Sequence, residues 1–206
     1  NRVLSATTDP SQIDGTLTAD GQVFIVNPNG IVFGSTSTVN VGGLVASTLA
    51  IEVDDFLNGE YHFASSGTEG SIVNSGTIAA DTGGYIALIG KRVSNEGRIE
   101  AGKGSVSLAA GGSVKLVLGA GGRIMAQVDS GLAGALVENK AGGEIIADGG
   151  IVLLTAQDGS TLLDTVVNNQ GLIQAQTLAN EGGVIKLLGG MDGGTVEVGG
   201  TLDASA

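Results

Sequence analysis

A short pattern recurs along the chain and constrains its fold more than any other feature. It consists of an aliphatic residue, any residue and then a small residue, usually Ala. The shortest intervals between copies are 21 and 22 residues, too few for one unit to bury its own apolar face. Stacked units bury that face against each other, which is the arrangement of a solenoid. The eight copies begin at Leu17, Val39, Ile78, Ile99, Ile124, Ile145, Ile173 and Leu202.

Apolar residues alternate with small or polar ones inside each unit. Ile78 and Ala80 share one face, as do Ile86 and Leu88 further along the same unit. A period of two predicts half-buried strands, and the runs are too short and too rich in Gly for helices. Strands of successive units would pair in parallel at about 4.8 Å. The sequence therefore predicts an all-β, single-stranded parallel β-helix forming one domain over residues 1–206.

Gly and Asn occupy the ends of the predicted strands. The chain has 37 Gly among 206 residues, many in pairs such as Gly83-Gly84 and Gly149-Gly150. Such pairs predict tight corners with positive φ, where Gly carries no steric cost. Asn residues at equivalent corners are predicted to stack, amide on amide, in a ladder that satisfies buried polar groups. The ladder residues are Asn74, Asn95, Asn139 and Asn169.

One interval is too long for a single unit. The 39 residues between Val39 and Ile78 exceed one repeat by about 17 residues, and half of the aromatic side chains lie there, at Phe56, Tyr61 and Phe63. This surplus predicts an extra-helical hairpin near residues 54–70, lying along the solenoid.

Charge limits the partners. Nine Lys plus Arg against 21 Asp plus Glu give a net charge of −12, which opposes binding to nucleic acid and to anionic membranes. No stretch approaches the roughly 18 apolar residues of a membrane span, so no membrane insertion is expected. Asp does not recur at fixed offsets as in a calcium β-roll, the nearest approach being Met191-Asp192-Gly193-Gly194. No metal and no cofactor are expected.

Enzymatic function requires a cluster of catalytic groups. Parallel β-helices that act on polysaccharides use carboxylates projecting together from adjacent rungs. The acids Glu100, Asp148, Asp164 and Asp203 occupy scattered positions, and His62, the single His, lies among aromatic residues in the excursion. We therefore expect that the protein is not an enzyme. A polysaccharide-active β-helix enzyme stays as the third hypothesis, behind the two given at the end of this section.

Several strings resemble a known family. They begin with Asn27-Pro28-Asn29-Gly30-Ile31, followed by Val32-Phe33-Gly34, and extend to Asn1-Arg2-Val3 and Gly84-Tyr85-Ile86-Ala87-Leu88. The chain resembles the amino-terminal secretion domain of two-partner-secretion exoproteins, the filamentous haemagglutinin family of Gram-negative bacteria.

The resemblance implies a right-handed β-helix that passes through the periplasm unfolded to an outer-membrane TpsB-type barrel transporter. It implies a protein that is secreted or held at the cell surface, and a chain that lacks its amino-terminal cap and continues beyond residue 206. The family's Asn-Pro-Asn-Gly-Ile element maps onto Asn27, Pro28, Asn29, Gly30 and Ile31, and its Asn-Arg-Val element onto Asn1, Arg2 and Val3.

The Asn27–Ile31 element has two compatible interpretations. Pro fixes φ and Asn-Gly favours positive φ, so the string is a turn that sets the register of the first rungs. The other interpretation is direct recognition by the transporter's periplasmic domains. The leading hypothesis is a non-enzymatic secretion and scaffold domain that folds vectorially. The alternative is an adhesin module that itself binds a host-surface receptor or glycan, most plausibly through residues 54–70.

Overall fold

The computed structural model describes residues 9–67, 69–118, 123–160, 165–178, 181–190 and 194–206. These residues form strands and one short helix. In chain order they are β1 (Ser11–Ile13), β2 (Thr16–Val26), β3 (Ile31–Phe33), β4 (Thr38–Ser47), β5 (Ala50–Ile51), α1 (Val53–Leu57), β6 (Tyr61–Ala64), β7 (Ser71–Asn74), β8 (Thr77–Gly90), β9 (Arg92–Asn95), β10 (Arg98–Glu100), β11 (Ser105–Ala110), β12 (Ser113–Leu118), β13 (Ile124–Ser130), β14 (Leu136–Asn139), β15 (Glu144–Ile146), β16 (Ile151–Ala156), β17 (Thr165–Asn169), β18 (Leu172–Gln174), β19 (Val184–Leu188), β20 (Thr195–Val198) and β21 (Thr201–Asp203).

Two parallel sheets form the coil. One sheet has the order β1-β3-β7-β9-β14-β17-β20. In the other, the long strands β2, β4 and β8 pair in sequence, and after β8 the sheet divides into the branches β10-β15-β18-β21 and β11-β16-β19. Each rung therefore presents three strand faces, and the predicted parallel β-helix is confirmed.

Aliphatic rows fill the interior of the coil. Parallel pairing places Val39, Ile78, Ile99, Ile145 and Ile173 one above another, and all five side chains are fully buried. Leu17 begins this row and Leu202 ends it. Seven of the eight predicted copies thus occupy one register position, as the repeat predicted.

For the remaining copy, at Ile124, the prediction of a coil strand is wrong. Ile99 pairs directly with Ile145, so the coil has no place for Ile124 between them. Ile124 begins β13, which pairs antiparallel with β12 in a hairpin outside the coil. Alternating apolar residues are common to both kinds of strand, because a hairpin lying on the coil also buries one face.

The hairpin belongs to a four-stranded extra-helical sheet with the order β13-β12-β6-β5. The segment near residues 54–70 leaves the coil as predicted, and β5 and β6 pair antiparallel, but α1 connects them. The sheet covers the outer face of β8 and β11 and closes a second core around Phe63, Tyr85 and Ile89.

Glycine pairs have two separate roles. Gly83 and Gly149, the first members of their pairs, have φ values of +82° and +70°, as predicted for the corners. Their partners Gly84 and Gly150, and likewise Gly104, have ordinary φ values. A Cβ atom on any of the three would collide with the backbone oxygen of the glycine one rung earlier. The second position of the pair is therefore required by the close approach of stacked backbones.

In the part of the chain that the structure describes, no helix has the length and apolar character needed to cross a membrane.

Candidate functional site

Asn27 is the first residue of the corner between β2 and β3. Its side chain is 1% exposed and both of its polar atoms are used inside the domain. Oδ1 accepts a hydrogen bond from the backbone N–H of Asn29 at 3.0 Å, and Nδ2 donates to Ser11 Oγ at 2.9 Å. In the folded domain this side chain holds the corner and is not accessible to a receptor.

The backbone of the corner is held by a hydrogen bond within the turn and by close contact with the segment at Gly70. Gly30 donates to the carbonyl oxygen of Asn27 at 3.1 Å and has a φ of +125°, which favours Gly. Pro28 accepts a hydrogen bond from the N–H of Gly70 at 2.7 Å, and a Cβ atom on Gly70 would collide with the backbone of Asn29. The segment before β7 therefore packs closely against the corner.

The corner sets the register of the first rungs. Ile31 follows it directly and begins β3, where it pairs with Ser11 of β1 and with Ile72 of β7. Ile31 and Phe33 are fully buried in the main core. Folding of the corner thus brings strands from three successive rungs into alignment.

Glu69 holds the loop that leads into Gly70. Its Oε1 accepts hydrogen bonds from Ser65 Oγ at 2.6 Å, from Gly67 N–H at 2.7 Å and from the backbone N–H of Ser66. Partial burial alone would raise the pKa of the Glu69 carboxyl, but these hydrogen bonds outweigh it and lower the pKa.

Acid should release this loop. Because the folded pKa of Glu69 lies below its usual 4.5, the stabilising contribution is complete above pH 4.5 and is lost as the pH falls through the folded value. We expect the protection factors of the Ser66 and Gly67 amides, which take account of the slower intrinsic exchange in acid, to fall on acidification. Glu69→Gln should show fast exchange at neutral pH already, whereas Glu60→Gln, at an exposed position outside the loop, should behave as the parent. Slow exchange in Glu69→Gln would contradict the assignment.

The four ladder asparagines end strands β7, β9, β14 and β17, and all are fully buried. Nδ2 of each donates to Oδ1 of the next at 2.8 Å, from Asn74 to Asn95, Asn139 and Asn169. The first Oδ1 accepts from Gly76 N–H, and the last Nδ2 donates to the carbonyl of Gly171. The column is hydrogen bonded at both of its ends.

Asn139→Ala should lower the free energy of unfolding by about 1–3 kcal/mol, because it removes two ladder bonds and takes away the donor to the buried Oδ1 of Asn169. Nδ2 of Asn95 keeps only its longer hydrogen bonds, to the carbonyl oxygens of Gly97 at 3.2 Å and Glu144 at 3.3 Å.

The adjacent Lys140→Ala is the control. It removes an ion pair between Lys140 Nζ and Glu96 at 2.7 Å whose side chains are 45% and 40% exposed, so its cost should be at most about 0.5 kcal/mol. Equal effects in urea denaturation would show that the ladder contributes no stability.

Each candidate catalytic group that the structure describes has a polar partner inside the domain, and Asp148 and Asp203 both accept hydrogen bonds from Gln176. Glu100 lies 2.9 Å from Arg98, Asp148 accepts from Gln174 at 2.8 Å, and Asp203 accepts from Gln176 at 2.6 Å. His62 is exposed, with Nε2 2.8 Å from Ser113 Oγ. Among the described residues, no group of three or more His, Cys, Asp or Glu is placed to hold a metal ion.

Some predicted positions lie outside the described residues. These are Asn1, Arg2, Val3 and Asp164, together with Met191, Asp192 and Gly193. Conversely, Ser11 and Gly70 contact the corner and were not predicted. No local pattern marks them, since each meets Asn27, Pro28 or Asn29 only after the chain has completed a rung.

The parallel β-helix and its Asn27–Ile31 corner agree with the resemblance to the secretion domains of two-partner-secretion exoproteins. The family model of the TPS secretion domain matches residues 1–201, and the chain belongs to that family. It is 31% identical over 197 residues to a heme/hemopexin-binding protein of Haemophilus influenzae, and 30% identical over 203 residues to a second protein of that name from the same species.

The fold agrees with a solved relative. The crystal structure of the HMW1 secretion domain from Haemophilus influenzae superposes with a TM-score of 0.78 at 31% identity, covering 91% of this chain and 47% of that chain. In each of the two heme/hemopexin-binding proteins the match covers 91% of this chain but only 21% or 22% of the relative. The chain thus spans about a fifth of the length of those relatives.

These matches establish a TPS secretion domain of a large exoprotein that is secreted through the periplasm to the cell surface. Membership implies an outer-membrane TpsB-type transporter as partner. The family is one of secretion domains and not of known enzymes.

Proposed function

We propose that the transporter's periplasmic domains read Asn27–Ile31 in the unfolded chain, and that folding of the same residues then starts the β-helix. The observation that carries this proposal is the burial of Asn27, which is 1% exposed with both polar atoms bonded inside the domain. A receptor reaches this side chain only before the corner forms. Asn1, Arg2 and Val3 belong to the proposed signal through the family's Asn-Arg-Val element.

Burial of Asn27–Ile31 on folding would prevent the transporter from binding the exported chain again. Once Ile31 and Phe33 enter the core, the transporter no longer has access to the segment that it bound. Each emerging rung then adds to the previous edge and buries apolar area worth about 25 cal/mol per Å². The asparagine column has a structural role in this proposal, because each new rung supplies the hydrogen-bond partner for the asparagine of the rung before.

A binding measurement tests early recognition. The probe is a synthetic peptide of residues 20–40, measured against the purified periplasmic domains of the cognate transporter beside the folded domain. The peptide should bind saturably and the folded domain at least about tenfold more weakly. Peptides with Asn27→Ala or Asn29→Ala should lose affinity, and the control peptide with Thr36→Ala should not. Binding of the folded domain as tight as that of the peptide would refute the proposal.

We propose that the domain is not an enzyme. The partners of these groups support this: Glu100 pairs with Arg98, and Asp148 and Asp203 accept hydrogen bonds from Gln174 and Gln176. The single His62 lies in the extra-helical sheet, bonded to Ser113, and not on the coil that carries these carboxylates. The names of the two relatives suggest heme or hemopexin as a ligand of the full exoprotein. We assign any such binding to parts beyond this domain, whose single histidine is hydrogen bonded to Ser113.

A further inference from the structure

Helix α1 presents apolar side chains to solvent. Val53 is 49% exposed, Phe56 40% and Leu57 74%, and the helix has no buried residue. We call these three residues the α1 patch. Their spacing of three and four residues places them on one face of the helix, and an exposed apolar face is a candidate interaction surface.

The α1 patch is held in place by aromatic contacts. The ring of Phe56 meets that of Phe24 edge-on, with centroids 5.1 Å apart at 83°, and the ring of Tyr61 stacks on Phe24 at 5.2 Å. Phe24 belongs to β2 of the coil, so these rings anchor α1 to the rigid part of the domain. Val53 and Leu57 are therefore presented in a fixed orientation.

Carboxylates lie next to the residues of the α1 patch along the chain. Glu52, Asp54, Asp55 and Glu60 lie within or beside α1. Between residues 50 and 70 the chain has five acidic residues and neither Lys nor Arg. In space, Lys115 of β12 lines the same surface depression as Asp55, Glu60 and Asp129, so acidic groups still outnumber basic ones there. This acidic rim favours an occupant of positive charge.

The same charge excludes other occupants. An anionic membrane would be repelled by the rim, and a second copy of this chain would bring two acidic rims together in a chain of net charge −12. A glycan that binds by stacking needs open aromatic faces, whereas Phe24 and Tyr61 stack on each other and the exposed ring of Phe56 also packs against both. What fits is a protein segment that combines aliphatic side chains with basic ones.

We propose that the α1 patch is a docking surface for a protein segment whose aliphatic side chains are flanked by Lys or Arg. The segment lays its aliphatic residues on Val53, Phe56 and Leu57 while its cations pair with Asp54 and Asp55. Docking takes place on the folded domain, after export, and is independent of how the transporter reads Asn27–Ile31. The small area of the patch implies a weak, transient contact.

The test uses a synthetic amphipathic peptide of Leu and Lys, titrated into the folded domain by calorimetry at physiological salt. The double variant Val53→Ser/Leu57→Ser should weaken binding at least about tenfold. Asp54→Asn/Asp55→Asn should weaken it and reduce its dependence on salt. Because α1 has no buried residue, all these variants should keep the parent melting temperature.

Matched controls separate the patch from general attraction to an acidic protein. Val198→Ser/Leu202→Ser makes the same two replacements at the last rung, where the side chains are 44% and 42% exposed, and should bind within about twofold of the parent. A peptide with Ser in place of every Leu should bind at least about tenfold more weakly. The proposal is overturned if the Ser peptide binds equally well, if both apolar double variants bind alike, or if the Leu peptide shows no saturable binding below about 1 mM.

Discussion

Replacing Gly104 with alanine is expected to disrupt the middle of the β-helix. The new Cβ atom would collide with the carbonyl oxygen of Gly84 in the rung below, and Gly150 stacks on Gly104 from the rung above. Backbone atoms on both sides are fixed by parallel pairing of β8, β11 and β16, so they cannot move apart without loss of hydrogen bonds. We expect a loss of about 3 kcal/mol or more in the free energy of unfolding.

The matched control lies two residues away. A Cβ atom on Gly102 meets nothing within 4 Å, and this glycine has an ordinary φ. Gly102→Ala should therefore change stability by no more than about 0.5 kcal/mol. Urea denaturation followed by far-ultraviolet circular dichroism measures both. If the two variants unfold at the same urea concentration, close backbone stacking is not the reason that Gly occupies position 104.

Phe63→Ala is expected to detach the extra-helical sheet. Phe63 is fully buried in the second core, where β6 lies between β5 and β12. Truncation leaves a large cavity between this sheet and the coil, and the cost should be about 3–5 kcal/mol. Amide exchange should rise throughout β6, β12 and β13 and much less in the interior strands of the coil.

Phe56→Ala is the control for this substitution. Phe56 is 40% exposed and belongs to the same excursion, so the same truncation there should cost less than half as much. An equal loss in both variants, or uniform loss of exchange protection in the coil and the sheet of Phe63→Ala, would contradict a separate second core.

The three-residue repeat predicted the coil well because each copy is a local pattern and marks the same strand position in its rung. Leu17 and Val39 are one repeat apart, as are Ile78 and Ile99, and the structure stacks all four in one row. Ile124 carries the same pattern but belongs to a hairpin that pairs with β6, a strand some fifty residues earlier. Local alternation does not distinguish the two, because partner choice depends on residues distant in sequence.

The sequence predicted where the glycine pairs lie, at the corners, but only one of the two reasons for Gly at these positions. Positive φ explains Gly83 and Gly149, and Lys103, with a φ of +57°, occupies the corresponding place before Gly104. The second glycine of each pair is required because the backbone of the neighbouring rung lies too close for a Cβ atom. That contact is between two repeats, so the sequence of one repeat does not reveal it.

At the Asn27–Ile31 corner, too, the sequence predicted the local turn but not the contacts with distant residues. Pro28 and Gly30 marked a turn, and the burial of Ile31 follows from its place at the start of β3. The hydrogen bonds that bury Asn27 come from Ser11, and the clamp on Pro28 comes from Gly70. These partners meet the corner only after a full rung has folded, which is why sequence alone left the structural and the recognition interpretations both open.

Export of the domain with a reporter, in cells that contain the cognate transporter, tests the central claim most directly. The comparison is between Asn27→Ala and Asn139→Ala, which both remove a buried asparagine and its hydrogen bonds. The account predicts that Asn27→Ala lowers the exported fraction at least about tenfold. Asn139→Ala, at a comparable loss of stability, should be exported nearly as the parent. Equal export of the two variants, or export that follows stability alone, would contradict recognition of Asn27–Ile31.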